Sequence, residues 1–439
     1  MLQRSGSNLV WFGVLSSSLI CLGVLAAHVG RGRATATFAT VILAQDPGVE
    51  NQSTSNGNGE TDQEKEKVIA RRSVAQTRTS WTDPARIAGH EKCIDCHQTE
   101  IKSWLSSKHS SRAFDLLRTS QRALEYAKNL HIRPADIAKS EICVNCHGTP
   151  QLQLDQRVGV IAGVSCESCH NAAGGDSGWL NAHAVYGFAD TRREQESDEH
   201  YAHRAERCVN AGQLRSSNLY GLTKRCFDCH VVGDEVLAEA GHSHGYGFEM
   251  VEKSLGEIRH NFFLNPSSNA KTATLWTDPF RYGKHRSVEG RLRVMFVLGQ
   301  MIDLEISLRN LARATAENEF SDAMLGRIDD AFELLSEDIL AEVEDTEFDN
   351  GQRPDIEEIE AIVELVEPVW ESLDDEGFNS DNTNKYIAIA DAIAVQAKAF
   401  SQRDGQQLAF LDELDLLPED FFDGAYEPNP QTNGPTGQN

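Results

Sequence analysis

The chain has 439 residues, with 67 acidic against 41 basic side chains and a formal net charge of −26. That balance argues against nucleic acid as a partner, and the length allows more than one compact unit. Of ten cysteines, eight fall in one repeated pattern, which leaves no pairing set for a framework of structural disulfides.

At the N-terminus, Arg4 precedes an apolar run from Leu9 to Gly30, broken only by Ser16, Ser17, Ser18 and His28, and Arg31 and Arg33 follow. The run is long for a signal-peptide core and just long enough to span a bilayer. Ala44-Gln45 offers a weak cleavage site. Residues 1–45 therefore read as a signal peptide or an N-terminal anchor, and either one carries the rest out of the cytoplasm. Residues 46–85, with Asn56-Gly57-Asn58-Gly59 and Glu64-Lys65-Glu66-Lys67, are polar and Gly-rich. They read as a disordered linker.

The third segment, residues 86–285, carries the chemistry. Cys-x-x-Cys-His occurs four times: Cys93, Cys96 and His97; Cys143, Cys146 and His147; Cys166, Cys169 and His170; Cys226, Cys229 and His230. This is the attachment signature of c-type haem. Two thiols add across the haem vinyl groups as thioethers, and the adjacent His supplies the proximal nitrogen to iron. A four-thiolate zinc site or a thioredoxin-like pair are the alternative readings of Cys-x-x-Cys. Neither gives the recurring His a task. Four covalent haems are the expected cofactors, and their faces bury apolar area that a modestly hydrophobic chain otherwise lacks. After the first motif, Ile101, Trp104, Leu105, Phe114, Leu117, Leu124 and Ala127 predict one helix over 100–130. The expected fold is mainly α: an irregular helical multihaem cytochrome domain followed by an antiparallel helical bundle.

Three stretches carry a family resemblance. Lys92-Cys93 through His97 with Trp104 and Ser107-Lys108-His109 resembles the opening of the tetrahaem cytochrome c-554 family. Gly163-Val164-Ser165-Cys166-Glu167-Ser168-Cys169-His170 resembles that family's third haem site. Lys224-Arg225-Cys226 with Phe248-Glu249-Met250-Val251 is similar to its fourth. The likeness spans roughly residues 86–265. It implies a periplasmic electron carrier with closely stacked haems, related in haem arrangement to hydroxylamine oxidoreductase and multihaem nitrite reductases. It also favours His109, His183, His242 and His260 as distal iron ligands, without saying which serves which haem. His260 would sit at the end of a Phe248–Arg259 helix. One haem of the family is five-coordinate, and the haem of His147 is the first suspect here. Gly241-His242-Ser243-His244 has no counterpart in the family and is a candidate to fill that position. With two His on every iron the protein only relays electrons between redox partners, membrane-bound or basic. The alternative is an enzyme that turns over a nitrogen oxide or hydroxylamine at one open haem.

Smaller signals follow. His200 and His203 with Cys208 read as a polar helix with a buried or free thiol, and an extra metal site is the lesser reading. Residues 286–417 predict an acidic helical domain of four helices. The first begins near Val294 and the second covers Met324 to Val343. The third is opened by Pro354-Asp355, and the fourth starts at Asn382 or Thr383. Residues 303–439 hold 35 acidic and 7 basic side chains, a net −28, so everything before them comes to +2. Such a surface is either simply solvated or a docking face for a basic redox partner. Residues 418–439 read as a disordered tail.

Overall fold

A computed structural model describes residues 83–94, 97–105, 107–184, 196–256, 288–345, 353–414 and 416–417. The N-terminal apolar run, residues 46–82 of the linker, Cys96, His260 and the tail lie outside these residues, and the last of the linker, Pro84 and Ala85, forms a short 3₁₀ turn with Arg86. Among those described, no helix is long and apolar enough to cross a membrane.

The structure is mainly helical, as expected, with one small hairpin. The single helix predicted over 100–130 is three: α1 (Gln98–Leu105), α2 (Arg112–Thr119) and α3 (Gln121–Asn129). Two serine-rich breaks explain the correction. Ser110 Oγ donates to the carbonyls of Leu105 and Ser107, and Ser120 is extended at ψ 131°. Short polar side chains that bond nearby backbone favour turns over helix interiors. The first break is the one that carries His109.

The second motif lies within α4 (Glu141–His147), and the antiparallel strands β1 (Thr149–Leu152) and β2 (Val158–Ala162) follow it. The third forms α5 (Cys166–His170), whose start is closed by Ser165 and Ser168 in a capping box. Then come α6 (Trp179–Ala184) and α7 (Asp198–Asn210). The fourth motif ends α8 (Leu219–His230), begun by an Asn218 side chain that accepts from Gly221 N–H. Next are α9 (Glu235–Glu239) and α10 (Met250–Gly256), the latter starting two residues after the predicted Phe248 start of the Phe248–Arg259 helix, whose end lies outside the described residues.

The C-terminal helices are α11 (Val288–Leu311), α12 (Glu319–Glu333), α13 (Glu357–Glu376) and α14 (Thr383–Phe400). A π-helical stretch, Leu334–Ala341, prolongs α12. The third helix starts at Glu357 rather than at Pro354. The reason is that Asp355 is engaged outside the helix, its carbonyl and carboxylate both taking Arg403. Pro368 sits inside α13, where the missing N–H leaves one carbonyl of the preceding turn without its helical donor.

Among the described residues, buried apolar side chains form two clusters of unequal size, with others such as Ile101, Trp179 and Leu214 in neither. Near the second motif the smaller cluster holds Leu117, Ala127, Ile137 and Val144. That is thin for a polypeptide core and suits a region whose apolar filling is porphyrin. The larger group runs through α11–α14 and takes in Leu219, Tyr220 and Phe227 of α8 with Met250 and Val251 of α10. α11 is buried nearly all round and packs on α8, α10, α12 and α14. The helix carrying the fourth motif therefore shares one core with the acidic helices.

Candidate haem sites

Helical spacing orients the motifs. In α4 and α8 the first Cys stands three residues before the second and four before the His, so all three share a face. In the first motif, Cys93 closes a short 3₁₀ turn, and the His97 N–H returns to the Cys93 carbonyl at 2.9 Å. The motifs sit in two couples, with Cys93 against Cys166 and Cys146 against Cys229. The first motif thus neighbours the third, and the second neighbours the fourth.

Three of the four expected distal histidines face a proximal one. His97 and His183 have ring centres 5.9 Å apart and nearly parallel planes, at 26°. His230 and His109 stand at 6.1 Å, and His147 and His242 at 6.2 Å. With iron–nitrogen bonds of about 2 Å and each ring centre roughly 1 Å behind its nitrogen, trans imidazoles on one iron lie about 6 Å apart. Bis-histidine haem fits these pairs. The fourth expected ligand, His260, lies outside the described residues.

Backbone contacts set the tautomers. His147 Nδ1 donates to the Ala113 carbonyl at 2.9 Å, and His170 Nδ1 donates to the Leu214 carbonyl at 2.7 Å. A ring so held offers Nε2 to the metal. Burial keeps the rings neutral, as ligation requires. His147 and His170 are depressed chiefly by desolvation, and desolvation with nearby His109 brings His230 to about 4. His183 falls to about 3 through burial and the Arg204 guanidinium, whose Nη1 is 3.2 Å from His183 Nδ1.

A cavity of about 930 Å³ is lined by Cys143, Cys146, His147 and His242, with Leu237 and Ile306 among its apolar walls. Thiols for vinyl groups, an imidazole pair for iron and apolar walls for the porphyrin faces are the donor set a c-type haem needs. Charged side chains of both signs also line this cavity, among them Lys224 and Arg309, which pair with Glu305. Among the described residues no cluster of three or more His, Cys, Asp or Glu converges as a zinc site would need. His200 and Cys208 do not join a metal set. His200 and Arg204 bind the Glu196 carboxylate, whose pKa falls to about 2, chiefly through the hydrogen bond from Arg204. Cys208 is fully buried, 3.8 Å from His183 Nδ1.

Sequence reasoning missed three supports. Glu167, inside the third motif, is buried and accepts from the N–H groups of Ala88, Gly89 and Ala173. Gly163 lies against the turn bearing His109, and its N–H donates to the Ser110 carbonyl at 3.0 Å. The third support is the wall that α11 gives the cavity at the second motif. Each is a contact across tens of residues, with no local signal in the chain.

Gly163 yields a prediction. A Cβ there would stand 2.2 Å from the His109 carbonyl oxygen and 2.4 Å from that of Ser110. Gly163→Ala must push the His109 turn away from the fourth motif, at roughly 2 kcal/mol of overpacking. The expected outcome is a lowered melting temperature and a partly high-spin haem in the optical and EPR spectra. An unchanged spectrum would show that the His109 turn tolerates the methyl.

Residues 92–171 match the family described as cytochrome c554 and c-prime. The match takes in the first three motifs and stops before the fourth. No curated protein and no solved structure matches the chain. Over residues 92–171, with their attachment motifs and histidine pairs, the chain is similar to the cytochrome c554 and c-prime family, a likeness that supports a c-type cytochrome with covalently bound haem.

Proposed function

We propose that the protein is a periplasmic or outer-face, membrane-anchored tetrahaem cytochrome that relays electrons between redox partner proteins. The observation that carries this reading is the set of three opposed histidine pairs at 5.9, 6.1 and 6.2 Å. Two imidazoles saturate an iron, lower its potential relative to His/Met ligation and leave no position for a small substrate. The third motif is spelled like the others, and His260, the candidate left once the three pairs are taken, would complete its haem. Coupling of motif one with three and of two with four would put porphyrins close enough to pass electrons along the chain.

The acidic C-terminal helices would meet a basic partner, and residues 1–45 would export or tether the whole. Covalent haem attachment outside the cytoplasm agrees with either fate of that segment.

The test is haem stoichiometry and spin state on protein matured by a competent host. Four haems per chain, all low-spin and inert to carbon monoxide, with rapid reduction and reoxidation by redox proteins, is the expected result. Fewer than four haems would remove the tetrahaem reading. A high-spin ferric component that binds nitric oxide in the wild-type protein would favour a small-molecule redox enzyme instead.

A further inference from the structure

His242 differs from the other paired ligands in what surrounds it. It lies three residues after the short helix α9, half-buried, in a segment that continues through Ser243, His244 and Gly245. A ligand on so short and irregular a segment needs outside support to hold its distance from His147.

That support comes from the C-terminal helices, at both ends of the segment. At its start, the Glu235 carboxylate accepts from Thr315 N–H, from Thr315 Oγ1 at 2.8 Å and from Asn318 Nδ2 at 2.8 Å. Asn318 is the residue that caps α12. At its end, buried Arg327 of α12 donates from Nη1 to the Gly245 carbonyl at 2.9 Å. The same guanidinium binds both oxygens of Asp303 on α11, at 2.9 and 2.5 Å, so its aim is fixed by a bidentate pair. Gly245 cannot move inward. At φ +80° it abuts the His230 carbonyl, which a Cβ would meet at 1.6 Å. Between the two clamps, Asn129 Nδ2 on the Ala240 carbonyl, Val232 N–H on the His244 carbonyl at 3.4 Å and the Tyr126 ring near His242 add contacts from the haem side.

We propose that the acidic C-terminal helices are a working part of the second haem's site: Glu235, docked on the start of α12, and Arg327 of α12 are positioning residues that hold His242 opposite His147. This deepens the relay reading, since it rests on His147 and His242 sharing one iron. It also gives the C-terminal helices a role that needs no partner protein. Neither residue touches the iron, and each acts through the backbone of residues 235–245.

The experiment uses the full-length, haem-loaded protein with Arg327→Ala, Glu235→Gln and the conservative Arg327→Lys, and His242→Ala as reference. The readouts are the ferric high-spin signal and carbon monoxide bound per chain in the reduced form. His242→Ala should give one high-spin haem and one carbon monoxide per chain. Arg327→Ala and Glu235→Gln should each open a substantial fraction of that same haem, at least tenfold above wild type, with Arg327→Lys restoring most of the low-spin form. If His242→Ala opens a haem while both clamp variants stay low-spin and silent to carbon monoxide, the proposal is overturned. If His242→Ala itself opens nothing, the underlying ligation fails instead. Should Arg327→Ala not accumulate, Glu235→Gln decides alone.

Discussion

Replacing His242 by alanine is expected to turn one low-spin haem into a high-spin, ligand-binding one and to leave the others as they are. The expectation follows from the 6.2 Å spacing of His147 and His242 and from the fixed tautomer of His147, whose Nδ1 is taken up by Ala113. Loss of one imidazole empties one axial position, and nothing else among the paired histidines is placed to refill it. His97 already faces His183, and His230 faces His109. The midpoint potential of that haem should rise, because a strong donor to ferric iron is gone. Free imidazole should restore the low-spin spectrum, which a merely structural role for His242 would not allow. The enzyme alternative makes the opposite statement about the wild-type protein, in which a haem would be open already. A His242→Ala protein with spectra indistinguishable from wild type would remove His242 from the iron.

What the chain reveals by itself is mostly local. The four attachment motifs are contiguous strings, so their chemistry was legible at once. The C-terminal helices were legible because their apolar residues recur at helical spacing, and α14 starts at Thr383 as its pattern suggests. The break in the predicted 100–130 helix was hidden because an apolar stripe resumes on both sides of it, while the turn depends on Ser110 finding the Leu105 and Ser107 carbonyls. Candidate distal ligands could be named, but their partners could not. His97 and His183 are 86 residues apart in the chain, and only the fold shows that they meet. The same holds for the merging of α8 with the acidic helices. Tyr220 Oη donates to Glu305 at 2.7 Å, and Lys224 Nζ reaches the same carboxylate at 2.7 Å. Each residue reads alone as an ordinary helix position. Together they fasten the fourth motif to α11.

The largest loss of stability from a single change should come from Glu167→Ala. This carboxylate is buried at 1% exposure. It accepts three backbone N–H groups, from Ala88 at 2.8 Å, Gly89 at 2.7 Å and Ala173 at 2.7 Å. Two of those donors immediately precede the turn that leads into Cys93, and the third follows His170. One side chain thus ties the first attachment motif to the third, alongside the contact of Cys93 with Cys166. Removing it strands buried donors that water cannot easily reach, each costing about 1–3 kcal/mol. Part of the strand-to-turn packing survives, since Gln151 Nε2 still holds the Ile87 carbonyl and Gly174 N–H still holds that of Arg86. The net cost should be about 4 kcal/mol, a fall in melting temperature of about 5 °C for a chain of this size. Glu167→Gln keeps the shape and one good acceptor, so its cost should be smaller, about 2 kcal/mol. The order Ala worse than Gln worse than wild type, read by thermal melts at equal haem content, tests the tether. It should be accompanied by selective perturbation of the His97 haem, whose anchoring turn loses its hold. Equal melting of all three proteins would mean that the Cys93–Cys166 neighbourhood is held by the porphyrins alone.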